Sequence, residues 1–80
     1  MTEIIERQVE RVVADLFNLA PTEVGPHSSP EQIEAWDSMQ HLNLVLALEQ
    51  QFSVQFGPEQ IERMKSVREI VQVVNELRGI

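Results

Sequence analysis

The stretch Asp37-Ser38-Met39-Gln40-His41-Leu42-Asn43-Leu44-Val45-Leu46-Ala47-Leu48-Glu49-Gln50-Gln51-Phe52 decides the fold. On a helix turning about 100° per residue, its apolar side chains separate into two faces. Leu44, Val45, Leu48 and Phe52 form one, the expected core contact. Met39, Leu42 and Leu46 form the other, on the opposite side and beginning beside Ser38, with Gln40, Asn43 and Gln50 at its border and Ala47 among them. A helix in a small bundle needs one buried face. The second is either half-covered by the preceding loop or left exposed to dock partner proteins in a groove. Its start at Ser38 favours docking.

Upstream, Thr2 is placed to cap a first helix, with Glu3 and Glu6 near the positive end of its dipole. Ile5, Val9, Val12, Val13, Leu16, Phe17 and Ala20 follow at helical spacing as one apolar stripe, and Pro21 is expected to end it. From Pro21 to Asp37 the chain is rich in Pro, Ser and Gly and reads as a long loop, pinned to the core by Val24 and Ile33. The second helix runs from about Ser38 to Phe52, capped by Asp37 or Ser38. Downstream, the alternation Phe52-Ser53-Val54-Gln55-Phe56 predicts an extended connection with its apolar side chains turned inward. Gly57 breaks it, and Pro58 opens a short helix through Met64. Ser66-Val67-Arg68-Glu69 is a capping box for a last helix, buried through Val67, Ile70, Val71, Val74 and Leu77 and stopped by Gly79. The expected fold is all-α: a four-helix bundle, three main helices plus one short one, as a single domain over residues 1–80.

Composition bounds what such a domain does. Eighty residues make a small core, which cannot readily wall off the deep pocket that small-molecule enzymes use. The absence of cysteine excludes disulfides and cysteine-based zinc sites, so packing and well-made helix ends must supply the stability. Thirteen acidic side chains against six basic ones leave a net charge of −7, which repels nucleic acid and anionic membranes. The same charge suits partners with basic patches, or simply keeps a small protein soluble. The start of the chain is polar, without a signal-like apolar run, and no stretch approaches the roughly 20 apolar residues that span a bilayer. A cytoplasmic monomer without membrane insertion is expected.

Asp37-Ser38 has two readings on local physics. It is an ordinary helix N-cap, or it presents the Ser38 hydroxyl where free N–H groups and the helix dipole favour an attached phosphodiester. The surrounding pattern adds a resemblance. Asp37-Ser38-Met39 followed by Leu42, Leu44, Val45, Leu48, Glu49 and Phe52 resembles the attachment region of acyl carrier proteins. The likeness extends through the first helix, the long loop, Phe52-x-Val54-x-Phe56, the short acidic helix and the capped last helix. It implies that Ser38 carries 4'-phosphopantetheine from coenzyme A, with Asp37 helping to present it. It also implies a phosphopantetheinyl transferase and acyl-loading and acyl-processing enzymes as partners, with basic or apolar docking patches. Cargo, whether fatty acyl, polyketide, aminoacyl or another acid, would ride on the arm as a thioester, and the helix interior could open to take up an aliphatic chain.

The chain departs from that family's housekeeping members at three places. Met39 stands where Leu is usual, a change of similar volume. Ala35-Trp36 precedes the Asp-Ser pair in place of a glycine and a small residue. Gln40 and Asn43 occupy positions that are typically acidic. These departures imply a stand-alone carrier for a specialised pathway rather than primary fatty-acid synthesis. The competing reading is a structural helical adaptor in which Ser38 is only a cap.

Other candidates read as structural. Asp37, Ser38 and His41 fall within one helical turn, without a nucleophile elbow or an oxyanion hole, so no catalytic residue and no enzyme activity is expected. His41 falls towards the core side and is expected to be hydrogen-bonded there; His27 is expected on the solvated loop, with no metal site. Trp36 either plugs the core edge or contacts the arm or a partner. Glu59 and Glu62 read as a solvated face with a possible docking role.

Overall fold

A computed structural model describes the backbone of residues 2–79 and, Pro21 apart, the side chains from Ile5 to Gly79. Four helices follow the chain: α1 over Thr2–Phe17, α2 over Ser38–Phe52, α3 over Pro58–Arg63 and α4 over Val67–Arg78. The capping roles assigned to the Thr2 and Glu3 side chains lie outside the described residues. α1 packs against both α2 and α4, and the short α3 leans on α4.

Each helix end has a physical cause. α1 stops at Phe17, three residues before the alanine expected in its stripe. Asn18 takes the left-handed conformation (φ 57°), Leu19 N–H donates to the Ala14 carbonyl (2.8 Å) and Asn18 N–H to that of Asp15 (3.4 Å). That is the double carbonyl closure of a Schellman end, and Asn is among the few residues that accept its geometry without large strain. Pro21 is therefore not the stop; it opens a 3-10 turn, Pro21–Glu23. Ala20 lies exposed past the helix end, and Ala14 is the buried alanine of α1.

α2 ends on Ser53, also left-handed (φ 55°), while Arg78 of α4 donates to the Phe52 carbonyl (3.0 Å). The connection beyond is not a strand, but its apolar residues turn inward as expected: Phe56 is buried, Val54 half-buried. Gln60 accepts the Gly57 N–H and fixes the start of α3, whose first residue is Pro58. The helix ends at Arg63, leaving Met64 buried just beyond it.

α4 is capped by Ser66, whose hydroxyl accepts the Glu69 N–H (3.2 Å) and donates to the Glu69 carboxylate (3.3 Å). Its next free N–H groups are met from the long loop, Val67 by the Ser28 carbonyl and Arg68 by that of Pro26, both at 3.0 Å. Buried Ser28 is itself held by the Gly25 N–H on its hydroxyl (2.9 Å). The loop is thus docked by hydrogen bonds as well as by Val24 and Ile33, which are both buried. Gly79 (φ 74°) closes α4 in the left-handed conformation that costs a glycine nothing.

The core joins Val9 and Val13 of α1, Leu44 and Leu48 of α2, Met64, and Val67, Ile70, Val73 and Val74 of α4, all fully enclosed. Val73, outside the expected face, shows that α4 is covered on more than one side. Leu77 is only half-buried.

Candidate functional site

α2 presents both faces as its sequence requires. Leu44, Val45, Leu48 and Phe52 are buried, while Met39, Leu42 and Leu46 are 75%, 57% and 58% exposed. Spaced by three and four residues, the exposed three make one apolar stripe that starts beside Ser38.

Asp37 is the N-cap: its Oδ1 accepts the Gln40 N–H (2.9 Å), and its carbonyl accepts the His41 N–H (2.8 Å). Ser38 is therefore the first helical residue, exposed, with its hydroxyl outside the cap. Of the two capping residues the sequence allowed, the structure selects Asp37. Gln40 and Asn43 pair with each other on the same end of α2, the Asn43 amide donating to the Gln40 side-chain oxygen (3.0 Å). The two form a neutral polar border to the apolar stripe.

Glu49 does not belong wholly to the acidic surface. It is half-buried, and its carboxylate accepts the Phe56 N–H (2.9 Å), tying α2 to the connection. Glu31, Glu34, Glu59 and Glu62 are exposed. The displaced titrations lie elsewhere: a two-point hydrogen bond from Arg63 holds the Glu76 carboxyl below its ordinary value, and burial, then Glu6, raise that of Glu10.

Trp36 is buried and stacks on Phe17 of α1, ring centroids 5.7 Å apart. Its indole N–H donates to His41 Nδ1 (3.0 Å). With Nδ1 accepting, the ring proton sits on Nε2 and is donated to the Ile61 carbonyl of α3 (3.0 Å). His41 is thus the hydrogen-bonded structural histidine expected on the core side of α2. Its partners lie five residues before it and twenty after it, beyond the reach of helical periodicity. His27 is exposed on the loop.

Trp36, Ser38 and His41 share a groove of about 680 Å³ with Pro30, Asp37, Ile61, Glu62, Met64 and Lys65. Its volume exceeds what was expected of so small a chain, but it lies open along the surface between the start of α2 and the end of α3 rather than walled in. Ser38 stands at its edge, and Lys65 supplies a positive charge among its lining residues. An exposed hydroxyl at a helix start and a cation among the lining residues of the same open groove suit a phosphodiester with an extended arm.

Residues 7–74 match the family described as "Phosphopantetheine attachment site". The acyl carrier protein of Thermosynechococcus vestitus is 35% identical over 75 residues, covering 92% of this chain and 90% of that one. The solution structure of a holo acyl carrier protein from Geobacter metallireducens superposes with a TM-score of 0.81, over 92% of this chain and 85% of that one. At 22% identity the likeness to that structure is one of fold. With these matches beside the four-helix architecture, the chain belongs to the acyl carrier protein family, carriers rather than enzymes, which work through a covalent 4'-phosphopantetheine and deal with a phosphopantetheinyl transferase and acyl-processing enzymes.

Proposed function

We propose that residues 1–80 act as one carrier domain, that Ser38 is the attachment point of the arm, and that the chain serves a specialised pathway. The observation that carries the attachment is the division of labour at the start of α2. Asp37 takes the cap, and Ser38 is left exposed at the edge of the groove. A serine acting only as a cap, as in a structural adaptor, would hold the Gln40 N–H itself.

In attachment, the Ser38 hydroxyl displaces the nucleotide portion of coenzyme A at phosphorus and loses its proton to a base on the transferase. The helix's first N–H groups and Lys65 are the groups of this chain that favour the resulting negative charge. Once attached, the arm offers a terminal thiol that holds acyl cargo as a thioester and raises its effective concentration at docked enzymes. Met39, Leu42 and Leu46 form the docking stripe for apolar patches on those enzymes, and Asp37 helps present Ser38. This reading includes a cytoplasmic, monomeric carrier without nucleic-acid or membrane partners.

The specialised-pathway part rests on the Gln40–Asn43 pair. It puts a neutral border where a partner with basic residues would look for carboxylates. Incubation with coenzyme A and a broad-specificity phosphopantetheinyl transferase, followed by peptide mass spectrometry, tests the attachment. One arm on the Ser38 peptide supports the reading; an unmodified chain, or an arm elsewhere, removes it.

A further inference from the structure

We propose that Trp36, His41 and Ile61 set the cargo preference of this carrier, by sealing the way from the groove beside Ser38 into the helical core. Cargo then lies along the open groove, which suits short or polar acyl groups and excludes burial of a long aliphatic chain. The inference rests on attachment of the arm at Ser38.

An aliphatic chain gains by leaving water, so an arm on Ser38 would deliver it towards the nearest apolar interior. From the groove, that route runs between α2 and α3. His41 stands three and four residues before Leu44 and Val45, hence on the side of α2 that faces the core. There its imidazole joins three elements: it donates to the Ile61 carbonyl of α3 and accepts from Trp36 of the long loop, each at 3.0 Å. Trp36 is 3% exposed and stacks on Phe17 of α1, so the same ring system reaches a fourth element. Met64, fully buried, is also among the residues lining the groove.

Parting α2 from α3 would leave the His41 Nε2–H without its partner and take from the Ile61 carbonyl one of its two donors, the other being the Met64 N–H (3.2 Å). Methylene groups have no donor or acceptor to replace them, so an entering chain cannot compensate the loss. The groove itself combines Pro30 and Ile61 with Asp37, Glu62 and Lys65. A short or polar acyl group finds both kinds of contact there without disturbing the imidazole.

The test loads acetyl- and octanoyl-pantetheine arms from the corresponding coenzyme A thioesters, verifies each product by mass, and compares methyl NMR spectra. In the native sequence, exchanging acetyl for octanoyl should move signals of the groove residue Ile61 and leave the Leu44 and Leu48 methyls in place. Hydroxylamine should cleave the two thioesters at rates within about twofold, since a cargo outside the core needs no opening step. In His41→Ala, octanoyl should shift the Leu44 and Leu48 methyls and slow its own cleavage. Trp36→Phe, which keeps the ring and removes the N–H, should do the same to a smaller degree and serves if His41→Ala does not fold. Octanoyl-induced shifts of Leu44 and Leu48 in the native sequence, or none in either folded variant, would overturn the proposal. Failure of the arm to attach at Ser38 would instead be visible in the mass spectrum and would remove the attachment on which it rests.

Discussion

Asp37 accepts the Gln40 N–H across 2.9 Å, so the residue that caps α2 is the neighbour of Ser38 and not Ser38 itself. The charged, shape-fixing role and the exposed hydroxyl are carried by adjacent side chains, which can be changed separately.

Replacing Asp37 with Ala should cost about 1 kcal/mol of stability, the usual loss of an N-cap. Asp37→Asn keeps an acceptor for the same N–H and should stay close to the native value. Urea denaturation of the two variants measures the difference. Equal stabilities would mean that the cap contributes nothing here.

The two faces of α2 should answer truncation differently. Leu48 is fully enclosed, and Leu48→Ala should cost about 2–5 kcal/mol. Leu46 is 58% exposed, so Leu46→Ala should fall within about 0.5 kcal/mol of the native protein and act mainly on partner binding. A denaturation series in which Leu46→Ala is the more damaging change would reverse the assignment of faces.

Most of this architecture was legible because it follows from local spacing. The stripe of α1, both faces of α2, Pro58 at the start of α3 and the Ser66–Glu69 cap all involve residues within a few positions of one another. What was missed has two causes. Pro21 attracted the end of α1, although Asn18 had already closed it through a left-handed turn that the helical pattern continues straight over. The other misses are contacts between distant parts of the chain: His41 with Ile61, Val67 with Ser28, Arg78 with Phe52. Periodicity gives the side of α2 on which His41 lies, but not the carbonyl waiting there. The burial of Val73, and the Trp36–Phe17 stack that decided between two roles for the indole, have the same origin.

Removing the indole donor should be more costly than its size change suggests. Trp36→Phe leaves His41 Nδ1 without its donor, and should lower stability by about 1–3 kcal/mol. Trp36→Ala adds a cavity against Phe17 and should cost about 3–5 kcal/mol. Thermal and urea unfolding of both variants would check the order. A Trp36→Phe variant as stable as the native chain would mean that the indole–imidazole bond carries no net stability.

Gln40 and Asn43 give a prediction about partner choice. Basic residues opposite these positions lose two rim contacts, each worth up to about 1 kcal/mol, or together up to about thirtyfold in affinity. The chain should therefore be a poor substrate for primary fatty-acid synthesis enzymes. Gln40→Glu combined with Asn43→Glu should improve it, most at low salt, where charge attraction is least screened. Elongation assays across a salt series make the comparison. Native activity equal to that of a housekeeping carrier would contradict the specialised-pathway reading.

The most direct test of the carrier account is the mass of the Ser38 peptide after incubation with coenzyme A and a phosphopantetheinyl transferase. The account predicts one phosphopantetheine group on that peptide, and a folded Ser38→Ala variant that stays unmodified. Modification at Ser28, Ser29, Ser53 or Ser66, or none on a correctly folded native chain, would contradict it.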